Sequence, residues 1–230
     1  MTPAVARNNV FIVVPAYNEQ SVVRQVVTEL KAEYPRVVVV DDGSHDHTAD
    51  EALAGGAVVL RHILNRGQGA AIQTGIDYSL RHEAEFVVTF DADGQHRPED
   101  VARALDLLEK AGADVAIGSR FLELRSEVPA VRRWVLLVAT RFMRMTSGLV
   151  LTDAHNGFRV LRRTAARKIR ITLDAMAHAS EIIDQISSHG LKVVEVPVVI
   201  RYSEYSRRKG QSSLAAVRIA FDYLFKRLFR

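Results

Sequence analysis

The stretch Phe86-Val-Val-Thr-Phe-Asp-Ala-Asp-Gly-Gln95 decides the fold. Phe86–Phe90 is apolar or β-branched without alternation, so it reads as a strand buried on both faces, the habit of a parallel sheet. Directly after it the chain turns to charge. Working outward, Val10–Val14, Val37–Val40, Val58–Leu60 and Val115–Ile117 have the same character. Between these runs lie Gln20–Glu33, Thr48–Ala54, Ala70–Arg81 and Glu99–Ala111, all with helical spacing. The third places Ile72, Ile76 and Leu80 on one stripe. Strand–helix alternation of this kind predicts an α/β fold, a doubly wound and mostly parallel central sheet flanked by helices.

Past residue 120 the alternation fails. Val131–Ser147 reads as an arginine-studded helix, Thr152–Asn156 as a loop, Ala175–Ser188 as a helix and Val193–Arg201 as a strand. Ser206–Ser213 is basic and turn-prone, and a last helix is expected from about Ser213. Neither a repeat nor a low-complexity linker divides the chain, so residues 1–230 are expected to form a single domain.

Composition narrows the classes. The chain is 48% hydrophobic and 25% charged, as folded globular proteins are. It has no cysteine, which excludes disulfides, zinc–thiolate sites and thiol nucleophiles and points to a cytoplasmic setting. Met1–Asn9 lacks the pattern of a signal peptide. The nearest approach to a membrane span, Trp134–Leu151, is interrupted by Arg141 and Arg144. Residues 131–230 hold 19 Lys+Arg against 7 Asp+Glu, and residues 1–130 hold 12 against 20, so the second part is suited to meet anions.

Ligands of open α/β sheets bind beyond the C-terminal strand ends. Here those ends read Pro15-Ala-Tyr-Asn-Glu19, Asp41-Asp-Gly-Ser44, Asn65-Arg-Gly-Gln-Gly69, Asp91-Ala-Asp-Gly-Gln95 and Gly118-Ser-Arg120. Five polar ends on one edge predict one site. Asp91 and Asp93 can turn together toward a hard cation such as Mg²⁺ or Mn²⁺, although Asp-x-Asp before Pro98 also suits a turn or helix cap. Asn65–Gly69 opens a helix with glycines, which suits a phosphate but is neither a Walker loop nor a dinucleotide fingerprint. Asp41 and Asp42 can accept from a ribose or base, or simply start a loop. His96 and His178 read as structural or peripheral rather than as metal ligands. Acidic strand ends would repel a nucleic-acid backbone, so no nucleic-acid partner is expected.

Val14-Pro-Ala-Tyr-Asn-Glu19, Val40-Asp-Asp-Gly-Ser44, Asn65-x-Gly-x-Gly-Ala-Ala71 and Asp91-Ala-Asp-Gly-Gln-His96 fall in an order that resembles family-two inverting glycosyltransferases. The closest branch is that of dolichyl-phosphate or polyprenyl-phosphate mannosyl- and glucosyltransferases. Gly118-Ser-Arg-Phe121, Asp153-x-x-Asn-Gly-Phe-Arg159 and Glu195-Val-Pro-Val198 continue the match, which covers roughly 10–213. The resemblance implies a GT-A fold, a GDP- or UDP-sugar donor and a divalent metal. It divides the chain into a nucleotide-sugar-binding half (about 10–120), an acceptor-side half (121–212) and a C-terminal amphipathic helix (213–230). By position it assigns Pro15, Tyr17, Glu19 and Asp42 to the nucleoside, Asp91 and Asp93 to the metal with Gln95 as third ligand, and Arg120 and Arg201 to phosphates. Gly69 falls in the donor-binding loop, and Arg207 lies in Arg207-Arg-Lys-Gly-Gln-Ser-Ser213, which is similar to a segment that closes over the donor. Ser213 and Gln68 stand where many members have lysine.

The acceptor decides whether a base is needed. A sugar hydroxyl must lose a proton on attack, and Asp153, then Glu181, is the candidate base. A lipid phosphate is already ionised and needs only arginines to position it. Leu214, Val217, Phe221, Leu224, Phe225 and Leu228 form one stripe, and Arg218, Asp222, Lys226 and Arg230 recur every fourth residue on another. That amphipathic helix suits a membrane surface, the protein's own core or a second subunit. The expectation is a metal-dependent hexosyltransferase peripheral to the cytoplasmic face of the membrane. It would act on a lipid-phosphate or glycan acceptor, with a small membrane protein or a second copy as further partners.

Overall fold

Strands β1 (Val10–Ala16), β2 (Arg36–Asp41), β3 (Val58–Arg61), β4 (Phe86–Thr89), β5 (Val115–Ser119), β6 (Arg159–Arg162) and β7 (Val193–Pro197) share one sheet. Their spatial order is β3-β2-β1-β4-β6-β5-β7. The computed structural model describes residues 7–122, 148–153, 156–173 and 178–201. The expected Val131–Ser147 and C-terminal helices, the Arg207–Ser213 segment and residues 175–177 of the Ala175–Ser188 helix lie outside them. Every strand pair is parallel except those of β6, which runs against both β4 and β5. All strands but β6 therefore deliver their C-terminal ends to one edge.

The valine-rich runs make the centre of this sheet because both of their faces are covered. Alternate residues of β1 enter opposite cores. Val10, Ile12 and Val14 pack with Val23, Val27 and Leu30 of α1 (Val23–Lys31) and with Val101, Leu105 and Leu108 of α4 (Pro98–Ala111). Phe11 and Val13 pack with Ile72 and Ile76 of α3 (Gln68–Arg81) and with Ile182, Ile183 and Ile186 of α6 (His178–Ser188). Two short helices, α2 (Thr48–Ala54) and α5 (Arg163–Lys168), complete the described layers. Pro98 opens α4 with Glu99 and Asp100 in its first turn, the charge sense that a helix N-terminus favours.

Three expectations need correction. Val58–Leu60 is not buried on both faces: β3 is an edge strand, and Val58 is 45% exposed. The first helix begins at Val23 rather than Gln20, because the Glu19 carbonyl accepts from Val22 and Val23 N–H and makes a turn there. The last strand stops at Pro197, short of Arg201. The sheet also contains β6, which the apolar pattern does not announce: two of its four residues are arginines. It inserts a strand from the second half of the chain between two from the first.

Candidate functional site

Asp91 follows β4 at the C-terminal edge, and the protein grips both of its oxygens. Oδ1 accepts from Gln68 Nε2 at 3.1 Å, and Oδ2 accepts from His96 Nε2 at 3.2 Å. The His96 ring is itself fixed between Phe90 and Phe158, with centroids 5.6 and 5.7 Å away. His96 is thus structural, as its sequence context suggests, but what it structures is the candidate metal ligand. Burial pushes the Asp91 carboxyl up. The His96 hydrogen bond and the charges of His96, Arg159 and His178 outweigh it, so the pKa lies below the usual carboxylate value.

Gly157 leaves room for this carboxylate. A Cβ built there would lie 2.2 Å from Asp91 Oδ2, while Thr89 Oγ1 pins the Gly157 carbonyl at 2.6 Å. Gly157→Ala is therefore expected to displace Asp91 and cut turnover roughly 100-fold, since an ångström of misplacement at a reacting centre costs about that much. Steady-state kinetics beside a circular dichroism spectrum checks this; full activity would mean the carboxylate moves freely.

Asp93 caps its own turn, Oδ1 accepting from Gln95 N–H at 3.0 Å. Burial, and then the charge of Asp91, push its pKa up to about 6. A carboxyl with a raised pKa holds its proton longer in the fold than in the unfolded chain. Its contribution to stability is complete below the unfolded value near 4 and is lost as pH rises through about 6. Binding a cation requires the ionised form, so Mn²⁺ affinity is expected to fall about tenfold per pH unit below that point. Calorimetric titration at pH 5, 6 and 7.5 reads this directly; a flat profile would mean Asp93 is no ligand.

The second cluster joins β5, β7 and the loop before β6. Arg120 pairs side-on with Asp153, Nε to Oδ2 at 2.6 Å and Nη2 to Oδ1 at 2.8 Å, and both residues are buried. Glu195 Oε1 holds this loop, accepting from Thr152 N–H and Oγ1 at 2.8 Å and from Asp153 N–H at 3.2 Å. Both oxygens of the sequence-nominated base are thus engaged by a buried arginine. Glu181, the reserve candidate, is equally committed: its carboxylate accepts from Thr172 N–H and Oγ1 and from Leu173 N–H.

On the nucleoside side, Pro15 is the penultimate residue of β1, and Tyr17 is 38% exposed with its ring edge-on to His45 at 6.4 Å. Glu19 is buried, its N–H on Thr48 Oγ1 at 2.7 Å. Asp42 carries hydrogen bonds of its own within the protein. Oδ1 accepts from His62 Nδ1 at 2.7 Å and from Arg66 N–H at 3.0 Å, and Oδ2 from Gly67 N–H at 2.7 Å. Its carboxylate holds the loop between β3 and α3. Gly69 is required by close packing, because a Cβ there would meet Leu173 O at 2.4 Å. Gln95 and Arg201 are brought together, Arg201 N–H on the Gln95 carbonyl at 2.9 Å, with the Arg201 side chain exposed. Arg207 lies outside the described residues.

The donor set at Asp91 and Asp93 suits a hard divalent cation. Burial and then the neighbouring Asp91 charge disfavour ionisation of Asp93, and a cation held by both carboxylates would offset that cost. Among the described residues no group of three or more His, Cys, Asp or Glu side chains surrounds a metal position. A cation at this pair would complete its shell with substrate oxygens and water, as Mg²⁺ and Mn²⁺ commonly do.

Known proteins share this chain's sequence pattern and fold. The family described as Glycosyl transferase family 2 matches residues 11–170. The chain is 35% identical to the polyprenol monophosphomannose synthase of Mycolicibacterium smegmatis, over 92% of this chain and 85% of that protein. It is 26% identical to the UDP-N-acetylglucosamine–dolichyl-phosphate N-acetylglucosaminyltransferase of Methanococcus voltae, over 95% and 96%. A crystal structure of glucosyl-3-phosphoglycerate synthase from Mycobacterium tuberculosis, in complex with Mn²⁺ and UDP-glucose, superposes with a TM-score of 0.71. At 20% identity over 95% of this chain and 78% of that one, this likeness speaks to the fold alone.

Proposed function

We propose transfer of a hexose from a nucleoside-diphosphate sugar to a polyprenyl or dolichyl phosphate at a membrane face, from the premise that the chain belongs to glycosyl transferase family 2 and has the GT-A fold. The observation that carries this reading is the engagement of Asp153 and Glu181. These are the two candidate bases for an acceptor hydroxyl, and each carboxylate is engaged by fixed donors. A phosphate acceptor arrives ionised and needs positioning only. The lipid-phosphate names of the relatives support the same choice.

In this reading Pro15, Tyr17 and Glu19 border the nucleoside, and Asp42 shapes the loop beside it rather than touching it. A divalent cation held by Asp91 and Asp93 would supply positive charge to the departing diphosphate. Gln68 and His96 keep Asp91 aimed, and Arg201, exposed beside the same turn, offers a guanidinium to a phosphate. Arg120, locked by Asp153, presents a fixed charge at the end of β5, so no reorganisation is needed at the moment of reaction.

Contact with a membrane is supported by Ile63 and Leu64, which are 97% and 74% exposed on the loop after β3, between Arg61 and Arg66 and on the catalytic edge. Among the described residues no helix is long and apolar enough to cross a membrane.

The test is a matrix of labelled GDP- and UDP-sugars, with Mn²⁺ or Mg²⁺, against polyprenyl phosphate and against free sugar acceptors. Label extracted into the organic phase only when polyprenyl phosphate is present is the expected result, and the productive donor names the base. Label transferred to sugar acceptors alone would move the assignment to a hydroxyl acceptor.

A further inference from the structure

Arg159 is the largest fully buried side chain among the described residues, 1% exposed at the start of β6. Its backbone pairs with Thr89 on one side and Ile117 on the other, which places it in mid-sheet just behind the catalytic edge. Nη1 reaches the Gly157 carbonyl at 3.4 Å, and Nε and Nη2 have no hydrogen-bond partner among the described residues. Gly157 also abuts the Asp91 carboxylate, so one glycine separates the guanidinium from the candidate metal ligand. The charges of Asp91 and Asp153 both act on Arg159. Burial lowers its pKa to about 10, which still leaves it protonated at neutral pH.

A buried cation with unmet donors is costly, and such a group in a native fold asks for a reason. Holding the neighbouring carboxylates is not that reason. Asp91 is already held by Gln68 and His96, and Asp153 by Arg120. What Arg159 adds is a fixed positive charge behind them.

We propose that Arg159 is a positioning residue whose buried charge biases the Asp91–Asp93 site against a bare divalent cation and toward a cation already paired with a diphosphate. The reasoning is electrostatic. A fixed unit charge a short distance behind the site repels a free divalent ion, attracts a diphosphate, and nearly ignores a pair whose charges offset. The inference rests on the donor-and-cation reading above and deepens it, since it concerns the form in which donor and cation enter.

Titration calorimetry on wild type, Arg159→Met and Arg159→Lys, with Mn²⁺ alone, UDP or GDP alone, and the two together, tests it. Arg159→Met is expected to bind Mn²⁺ alone about tenfold more tightly and nucleotide alone several-fold more weakly. The combined ligand should change by less than roughly threefold, because the opposing charges offset. Arg159→Lys keeps the charge and should keep the wild-type Mn²⁺ affinity. The melting temperature of Arg159→Met should hold or rise, because Met of similar volume replaces an ill-satisfied cation. A merely structural arginine would not tighten bare-cation binding when removed. Unchanged or weaker Mn²⁺ binding in a folded Arg159→Met would overturn the inference. Loss of the fold in both Arg159→Met and Arg159→Gln would do the same, by making Arg159 a stability residue. If wild type itself bound neither Mn²⁺ nor nucleotide, the donor-and-cation reading would fall first, so the two failures are distinguishable.

Discussion

Asp93→Asn is expected to lower turnover by about a thousandfold while leaving the protein as stable as wild type, or more so, at neutral pH. The two effects have one cause. Asp93 sits beside Asp91 in a partly buried turn, and its pKa is pushed up to about 6 by burial and by that neighbouring charge. Near pH 7.5 the cation-free fold therefore carries an unfavourable ionised pair, and a neutral amide relieves it. The amide can still accept from Gln95 N–H, so the turn survives. What it cannot do is supply the anionic oxygen that a divalent cation needs, and loss of charge stabilisation at a leaving group costs on the order of 10²–10³ in rate. Melting curves at pH 5 and pH 7.5 separate the parts. The variant's gain over wild type should be larger at pH 7.5 than at pH 5, because wild-type stability falls as pH rises from the unfolded value near 4 through about 6. Equal activity in the variant would remove Asp93 from the site, and a lower melting temperature at pH 7.5 would remove the strain argument.

Arg120→Met should destabilise the fold by about 3–5 kcal/mol, because it takes the bidentate guanidinium away from the buried Asp153 carboxylate. Asp153 is 1% exposed, and its oxygens depend on Arg120 Nε, Nη2 and N–H. Of these three bonds, the one from the backbone N–H outlasts the substitution. For a chain of this length the loss corresponds to a melting temperature lower by roughly 10 °C. The diagnostic partner is Arg120→Met with Asp153→Leu, which removes both charges and should recover most of the lost stability. Activity should not return with it, because the guanidinium proposed to supply a fixed charge to the phosphates is still gone. Scanning calorimetry and kinetics on the two single variants and the double close the cycle. A double variant no more stable than Arg120→Met would show that the pair contributes packing rather than compensated charge.

Much of this site is visible in the linear chain. The strand ends collect Glu19, Asp42, Asp91, Asp93 and Arg120 on one edge because parallel strands joined by crossover helices all arrive with the same polarity. Local chemistry suffices for that: β-branched runs, the stripe of Ile72 and Ile76, and Pro98 opening α4 all act within a few residues. Roles are less visible than places. Asp42 sits where the motif predicts, yet its carboxylate is used on His62, Arg66 and Gly67, some twenty residues along the chain. Asp153 has the type and position of a base, yet Arg120, 33 residues away, occupies it. Arg159 stands between Phe158 and Val160, and a charged residue amid a short apolar run is its one signal in the sequence.

The sequence by itself determined the layered α/β architecture, the edge on which the site lies and the carboxylate pair at its centre. These depend on burial periodicity and strand polarity, which a chain carries locally. Only the tertiary structure decided that β6 enters antiparallel between β4 and β5, and with it which charges are spoken for. That insertion brings Gly157 against Asp91, Asp153 onto Arg120 and Arg159 behind both carboxylates. The physical reason is that a hydrogen bond or ion pair is set by which strands become neighbours. In a four-residue strand that is half arginine, no local pattern announces the neighbour.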